Sequence, residues 1–302
     1  MAAESWTVRD KVCVVTGATS GIGEEIALGL LRQGARVTAV GRSRERGEAA
    51  VARLRRESGN PNVELLLADL SSQEQIRGLA ARLLEQLPRI QVLVNNAGIV
   101  NLRRELTCDG LEATFAVNHL AYYQLSLLLL ERLRACAPAR IVNVASDAHK
   151  FAGGLDFSDL QNERRYRSMK VYGQSKAANI LFTRELGRRL EGTGVTVNCM
   201  HPGGVATRLG QQNGRFAKLV TGAISLFMRT PAQGADTAVW LAAAPELEGV
   251  TGRYFYSRRE HTPAAYARDD AASSPSRRCS RRSGPLRTEP AQRAARRTLR
   301  GG

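Results

Sequence analysis

Tyr172 and Lys176 stand four residues apart in Val171-Tyr172-Gly173-Gln174-Ser175-Lys176, a spacing that stacks a phenol and an ammonium on one face of a helix. A tyrosine in water has a pKa near ~10 and neither gives nor takes a proton well at neutral pH. A lysine beside it favours the phenolate and brings that pKa toward the working range, so the pair is a candidate proton donor. Tyr and Lys also meet at this spacing on many solvated helix faces, and the pair gains meaning only from its company. Ser146 closes the apolar run Arg140-Ile141-Val142-Asn143-Val144, where a hydroxyl can donate to a carbonyl oxygen or accept from an alcohol. The other reading of a strand-end serine is a turn former. Asn118, in Val117-Asn118-His119, sets an amide inside an otherwise apolar helical stretch, where it must find a partner.

These groups need elements to hold them, and apolar runs supply those at a regular beat. Strands are expected at 11–16, 36–40, 63–68, 92–94, 140–144, 195–200 and 252–256. Helical patterns fall between them: Ile22, Ile26 and Leu30 up to Gly34, a charged stretch to about 57, then 71–87, 110–136 and the Tyr172 helix to about 190. Strands without alternation, each followed by a helix, predict a doubly wound parallel sheet of seven strands in one domain, with helices on both faces. Ligands of such a sheet lie at the carboxyl ends of its strands. The chemical motifs all fall at those ends.

Thr16-Gly17-Ala18-Thr19-Ser20-Gly21-Ile22-Gly23 follows the first strand and opens the first helix. Glycines there permit a tight turn and let backbone N–H groups approach a pyrophosphate, which makes Gly17, Ser20, Gly21, Ile22 and Gly23 candidate contacts. The chain has Gly41 where an NAD-selective site needs an acid, and Arg42 follows, suited in charge and geometry to a 2′-phosphate. A solvated surface arginine is the alternative for Arg42; the expected coenzyme is NADP(H).

With Asn95-Asn96-Ala97-Gly98, Ser146 and Tyr172/Lys176, the glycine loop resembles that of the short-chain dehydrogenase/reductase family, over roughly residues 8–260. The resemblance implies a Rossmann-like oxidoreductase that moves a hydride between NADP(H) and a carbonyl or alcohol carbon. It assigns Tyr172 the proton, Ser146 the substrate oxygen, and Lys176 the ribose together with the tyrosine pKa. Asn118 would hold a water that connects Lys176 to solvent. It puts Asp69 and Leu70 at the adenine edge and Asn95, Ala97 and Gly98 along the adenine-ribose half, with a purely structural role for Asn95 left open. Pro202, Gly203 and Val205 belong to the turn beneath the nicotinamide, and Thr207 offers a hydroxyl to the carboxamide or the pyrophosphate. His119 reads as a packed helix residue, His149 lies close enough to touch substrate but is not expected to catalyse, and His201 has no assignable role. Ser146 and Tyr172 stand 26 residues apart, which exceeds the common family spacing and resembles the branch that contains retinol dehydrogenases. Phe216, Leu219, Val220, Ile224, Leu226, Phe227 and Met228 form an apolar cluster suited to a mobile lid over a lipophilic substrate, with an ordinary buried helix as the alternative.

Composition sets the outer bounds. The chain has 302 residues, 43% of them apolar, and no run approaches the ~18 apolar residues of a membrane span. A first strand near Val12 leaves no room for a signal peptide ahead of it. Cys13, Cys108, Cys136, Cys199 and Cys279 show no metal-ligand spacing, and the four histidines are scattered, so no metal is expected. The expected location is the reducing cytoplasm. Nine arginines against one glutamate in 271–302 supply half of the net charge of +16, so the excess marks a tail rather than the body. Residues 1–270 are the expected domain and 271–302 a disordered basic tail. Small lipophilic carbonyl or alcohol substrates and a homo-oligomer built on the 110–136 and Tyr172 helices are the expected partners. No specific nucleic acid is expected, and only weak membrane-surface contact. Two rival classes remain: a catalytically silent nucleotide sensor on the same fold, and a basic-tail binder of nucleic acid or anionic membrane.

Overall fold

The seven apolar runs pair into one sheet. Its strands are β1 (Val12–Thr16), β2 (Arg36–Gly41), β3 (Val63–Leu67), β4 (Val92–Asn95), β5 (Ala139–Val144), β6 (Val195–Met200) and β7 (Tyr254–Tyr256). The order is β3-β2-β1-β4-β5-β6-β7, all parallel, with the short antiparallel β8 (Arg259–Glu260) as an eighth strand at the edge. A two-residue turn joins β7 to β8, and both its residues, Ser257 and Arg258, have positive φ, at 49° and 58°. That is the twist which matches a tight hairpin, yet neither is the Asn or Gly that would announce it in a sequence. At the opposite edge, Arg55 donates to the carbonyl of Val63 and Arg82 to that of Leu67.

The computed structural model describes residues 5–205 and 229–268. Thr207, the apolar 216–228 cluster, Cys279 and the 271–302 tail lie outside the described residues.

Helices α1 (Gly21–Arg32), α2 (Arg44–Ser58) and α3 (Gln73–Gln86) follow the first three strands, close to the expected positions. The 110–136 stretch departs from the single helix expected. It is divided into α4 (Ala113–Phe115), a five-residue π-helical turn at Ala116–Leu120, α5 (Ala121–Leu128) and α6 (Leu130–Ala135). Buried Glu112 starts it by accepting from the N–H groups of Thr114 at 2.9 Å and Phe115 at 2.6 Å. The π turn carries Asn118, whose side chain bonds the backbone of Ile99 and so ties the helix to the loop after β4.

Helix α7 (Ser168–Arg189) bears Tyr172 and Lys176. The sequence reading had no helix at α8 (Pro231–Ala243), although its start is written in Thr230-Pro231-Ala232-Gln233. Thr230 accepts from Gln233 N at 3.2 Å, Gln233 accepts from Thr230 N at 3.0 Å, and Pro231 fills the first turn.

Apolar cores cover both faces of the sheet. One gathers Ile26, Leu30, Val15 and Leu241 between α1, α8 and the sheet; the other gathers Leu79, Leu83, Leu93, Leu125 and Ile141. Each such side chain stabilises by ~1.5–3 kcal/mol when fully buried. Helices α1 and α8 approach so closely that a Cβ on Gly29 would lie 2.7 Å from Val239. Trp6 fastens the start of the described chain, its indole N–H on the carbonyl of Ala242 at 3.0 Å and its ring 4.3 Å from the Arg140 guanidinium. Among the described residues no helix is long and apolar enough to cross a membrane.

Candidate active site

Strand order reverses between β1 and β4, and the crevice outside their carboxyl ends opens into a cavity of about 780 Å³. Gly17, at φ +67°, turns the chain out of β1, and a Cβ there would stand 2.9 Å from Ala97 Cα. At Gly23 it would stand 2.3 Å from the carbonyl oxygen of Gly17. Only glycine permits that approach. Thr16 and Asn96 lock the two strand ends together: Thr16 Oγ1 accepts from Asn96 N at 2.9 Å, and Asn96 Nδ2 donates to Thr16 O at 2.9 Å. Ser20 stands at the N-cap of α1 with no side-chain capping bond, and Ser20, Gly21, Ile22 and Gly23 line the cavity. Backbone N–H groups at the positive end of a helix, set against a polar cavity wall, suit the pyrophosphate of a dinucleotide. The donor set and the glycine cradle fit a nicotinamide dinucleotide.

Gly41 is shaped by its neighbour, for a Cβ there would meet Thr19 Cγ2 at 2.4 Å. A side chain at this place would require Thr19 to turn away. Exposed Arg42, in the bend after β2, lines the cavity, and so does exposed Arg46 in the first turn of α2, a residue that the sequence reading does not single out. Asp69 and Leu70 also line it; the Asp69 carboxylate accepts from Ser71 N at 2.9 Å and shapes the loop.

Asn95 is a correction. It is fully buried and donates to Asn143 Oδ1 at 2.8 Å and to Ser126 Oγ at 3.0 Å, joining β4, β5 and α5. A strand residue with Cβ directed into the sheet packing cannot also face the groove. Asn96, Ala97 and Gly98 line the cavity instead.

Ser146, Tyr172 and Lys176 meet on the same cavity wall. Ser146 caps the 3-10 turn Asp147–Phe151, its Oγ accepting from Ala148 N at 3.2 Å, and its hydroxyl stands near enough to the Tyr172 phenol to favour the phenolate. Gly173 lets α7 settle on this turn, since a Cβ there would strike the carbonyl of Ala148 at 2.5 Å. Lys176 donates from Nζ to Val144 O at 2.9 Å and lies 5.8 Å from the centre of the Tyr172 ring. Burial pushes the Tyr172 phenol up, against the opposing pull of the Ser146 hydroxyl, and pushes Lys176 down to about 7. The expected lowering of the tyrosine by the lysine is thus outweighed here by desolvation. The ammonium spends a donor on a carbonyl rather than on the phenol.

Asn118 stands behind this wall and does not line it. Its Oδ1 accepts from Ile99 N at 2.7 Å, while Nδ2 donates to Ile99 O at 3.0 Å and Ser175 Oγ at 3.1 Å. The amide tethers the loop after β4 to α7. Pro202, Gly203 and Val205 line the cavity after β6, together with Gly204.

The histidines of this region are engaged in packing contacts. His149 is buried with Nδ1 on Ser146 O at 2.8 Å and Nε2 accepting from Ala264 N at 3.1 Å, so neither nitrogen remains for substrate. His119 pairs with Asn179 at 2.9 Å and packs, as read from the sequence. Ile99, Leu106, Val117, Ala148 and Met169 bring apolar side chains to the cavity, beside the polar Asn101, Glu105 and Thr107. The long excursion before α7 is held by Arg164 on Asp156 and Asp159, by Arg104 on Gln161 O, and by Tyr166 and Ser168 on Asn101 O.

A family model described as short chain dehydrogenase matches residues 11–217. The chain belongs to the short-chain dehydrogenase family. It is 42% identical over 270 residues to human retinol dehydrogenase 13, covering 87% of this chain and 81% of that protein. Human retinol dehydrogenase 14 is 44% identical over 280 residues, with 87% and 83% covered. Among solved structures, the Pseudomonas aeruginosa RhlG/NADP active-site complex superposes with a TM-score of 0.66 at 28% identity, over 88% of this chain and all of that one. This short-chain dehydrogenase thus falls in the retinol dehydrogenase-like branch. It is an oxidoreductase of alcohols and carbonyls that uses a nicotinamide dinucleotide.

Proposed function

We propose that the protein is an NADP(H)-dependent oxidoreductase that interconverts a lipophilic ketone or aldehyde with its alcohol, on substrates of the retinoid kind or similar. The observation that carries this reading is a single cavity with Arg42 and Arg46 at one end and Ser146, Tyr172 and Lys176 at the other. The bare α1 N-terminus lies between them. The two guanidiniums suit a 2′-phosphate, and the apolar side chains of Ile99, Leu106, Val117 and Met169 suit an apolar substrate body. A bound coenzyme supplies the hydride. Ser146 fixes the carbonyl oxygen with its hydroxyl, and Tyr172, on the same cavity wall, gives that oxygen its proton. Lys176 would hold the ribose of the coenzyme, while Asn118 acts at one remove, by fixing Ile99 and Ser175. The alternative of a silent nucleotide sensor gains nothing from this geometry.

The test is a panel of ketones and aldehydes, retinal among them, followed by loss of NADPH absorbance. Turnover with apolar carbonyls and a preference for NADPH over NADH is expected. Tight NADPH binding without turnover on any member would favour the silent sensor.

A homo-oligomer belongs to the same reading. Tyr123, Leu127 and Leu128 are 47%, 39% and 40% exposed on one stretch of α5, and apolar surface of that kind suits a second copy of the chain.

A further inference from the structure

The Pro202-Gly203-Gly204 turn has a support that the proton and hydride chemistry does not use. Two successive glycines make it costly to order, and Gly203 sits at φ +81°. His201, immediately before it, is buried, and its Nδ1 accepts from Gly203 N–H at 3.3 Å, an i to i+2 bond of the kind Asx turns make. An acceptor at Nδ1 requires the neutral ring with its proton on Nε2. Burial pushes this imidazole down to about 4, so the acceptor persists at working pH.

The ring itself is clamped. It stacks on Tyr256 with centroids 4.2 Å apart and planes 12° from parallel, and on Tyr254 at 5.5 Å and 24°. The Arg229 guanidinium lies 4.7 Å from the Tyr256 ring centre, and Arg229 N donates to Gly204 O at 2.8 Å. A Cβ on Gly203 would touch Arg229 Cδ at 3.2 Å and Tyr256 at 3.3 Å, so the turn rests directly on this stack.

We infer that His201 is a positioning residue for the nicotinamide half of the coenzyme. Its Nδ1 holds the Gly203 amide, and with it the turn, in the shape that receives that half. The inference rests on the NADP(H) reading above. Without the acceptor, Gly203 N–H loses its partner and the Pro-Gly-Gly turn must be ordered when the coenzyme binds.

Two ligands separate this from a general structural role: NADPH, and 2′,5′-ADP, which carries the 2′-phosphate half and lacks the nicotinamide. His201→Phe keeps an aromatic ring for stacking and deletes the acceptor. His201→Asn returns an acceptor near the Nδ1 position, and His201→Gln carries it one bond too far. Titration of the full chain should show Phe and Gln weakening NADPH by about three- to tenfold. Their 2′,5′-ADP affinity should stay as in the parent, and Asn should retain most of the NADPH affinity. If His201→Phe does not fold, the Asn and Gln pair carries the comparison alone. Equal losses on both ligands, or no loss in Phe and Gln, overturn the inference. A parent protein that binds neither ligand overturns the coenzyme reading and this inference with it.

Discussion

At the scale of single residues, the reaction divides between groups that touch it and groups that place them. Tyr172→Phe deletes one hydroxyl from a ring that the wall still holds. Carbonyl reduction should fall by a factor of about a hundred or more, while the NADPH dissociation constant from fluorescence titration stays within a few-fold. Retention of most of the rate would move the proton donor elsewhere. Arg42→Ala should weaken NADPH by about ten- to a hundredfold, from the loss of roughly 1.5–3 kcal/mol of charge-assisted bonding, and leave NADH little changed. Arg46→Ala should do the same to a smaller extent, and equal losses for both coenzymes would show that neither arginine reads the phosphate.

Lys176 connects the site to stability. Its pKa of about 7 lies below the ordinary lysine value of 10.5, because burial disfavours the ammonium. The folded state therefore carries a cost that is fully present below about pH 7. As pH rises from there toward 10.5, the unfolded chain binds the extra proton, and the cost is relieved. Lys176→Met should accordingly raise the melting temperature of the coenzyme-free protein more at pH 6 than at pH 9. A shift that is equal at the two pH values would mean the lysine is not desolvated as described.

Elements were legible where one periodicity ruled and obscure where side chains overrode it. Uninterrupted apolar runs made β1 to β6 readable nearly to the residue, and the strand-end motifs followed because a parallel sheet delivers all its carboxyl ends to one crevice. The 110–136 helix was readable as helical but not as broken. Its π turn depends on Asn118 reaching Ile99, a contact between segments 19 residues apart that no local pattern carries. Asn95 and Asn96 illustrate the same limit, since adjacent amides at a strand end differ only in which face each meets. Helix α8 was readable and passed over, for its capping box and proline are local signals. Thr230→Ala removes the cap and should cost ~1 kcal/mol in chemical denaturation, with coenzyme affinity little altered. No measurable destabilisation would mean that packing of α8 against α1 suffices to set the helix start.

For the whole molecule, the sequence predicted a homo-oligomer built on two helices, and the described surface narrows that expectation. On α7, Ala177, Ala178, Ile180 and Leu181 are buried within the chain itself, so they add little to an external face. Tyr123, Leu127 and Leu128 of α5 remain exposed. The double change Leu127→Asp and Leu128→Asp should convert a sedimenting oligomer to the single-chain mass without unfolding it. If the parent already sediments as a single chain at micromolar concentration, the α5 face serves some other purpose.

The sheet edges bear on how copies of this chain can meet. A bare edge strand offers a row of unpaired amides and carbonyls to any extended segment, including that of a misfolded neighbour. Here Arg55 and Arg82 occupy carbonyls at both ends of β3, and at the far side the ladder stops at a β8 of two residues. Neither margin leaves a long template for strand addition. Self-association through the described surface is thereby steered away from open-ended, fibre-forming growth and toward helix faces, where a twofold contact closes on itself.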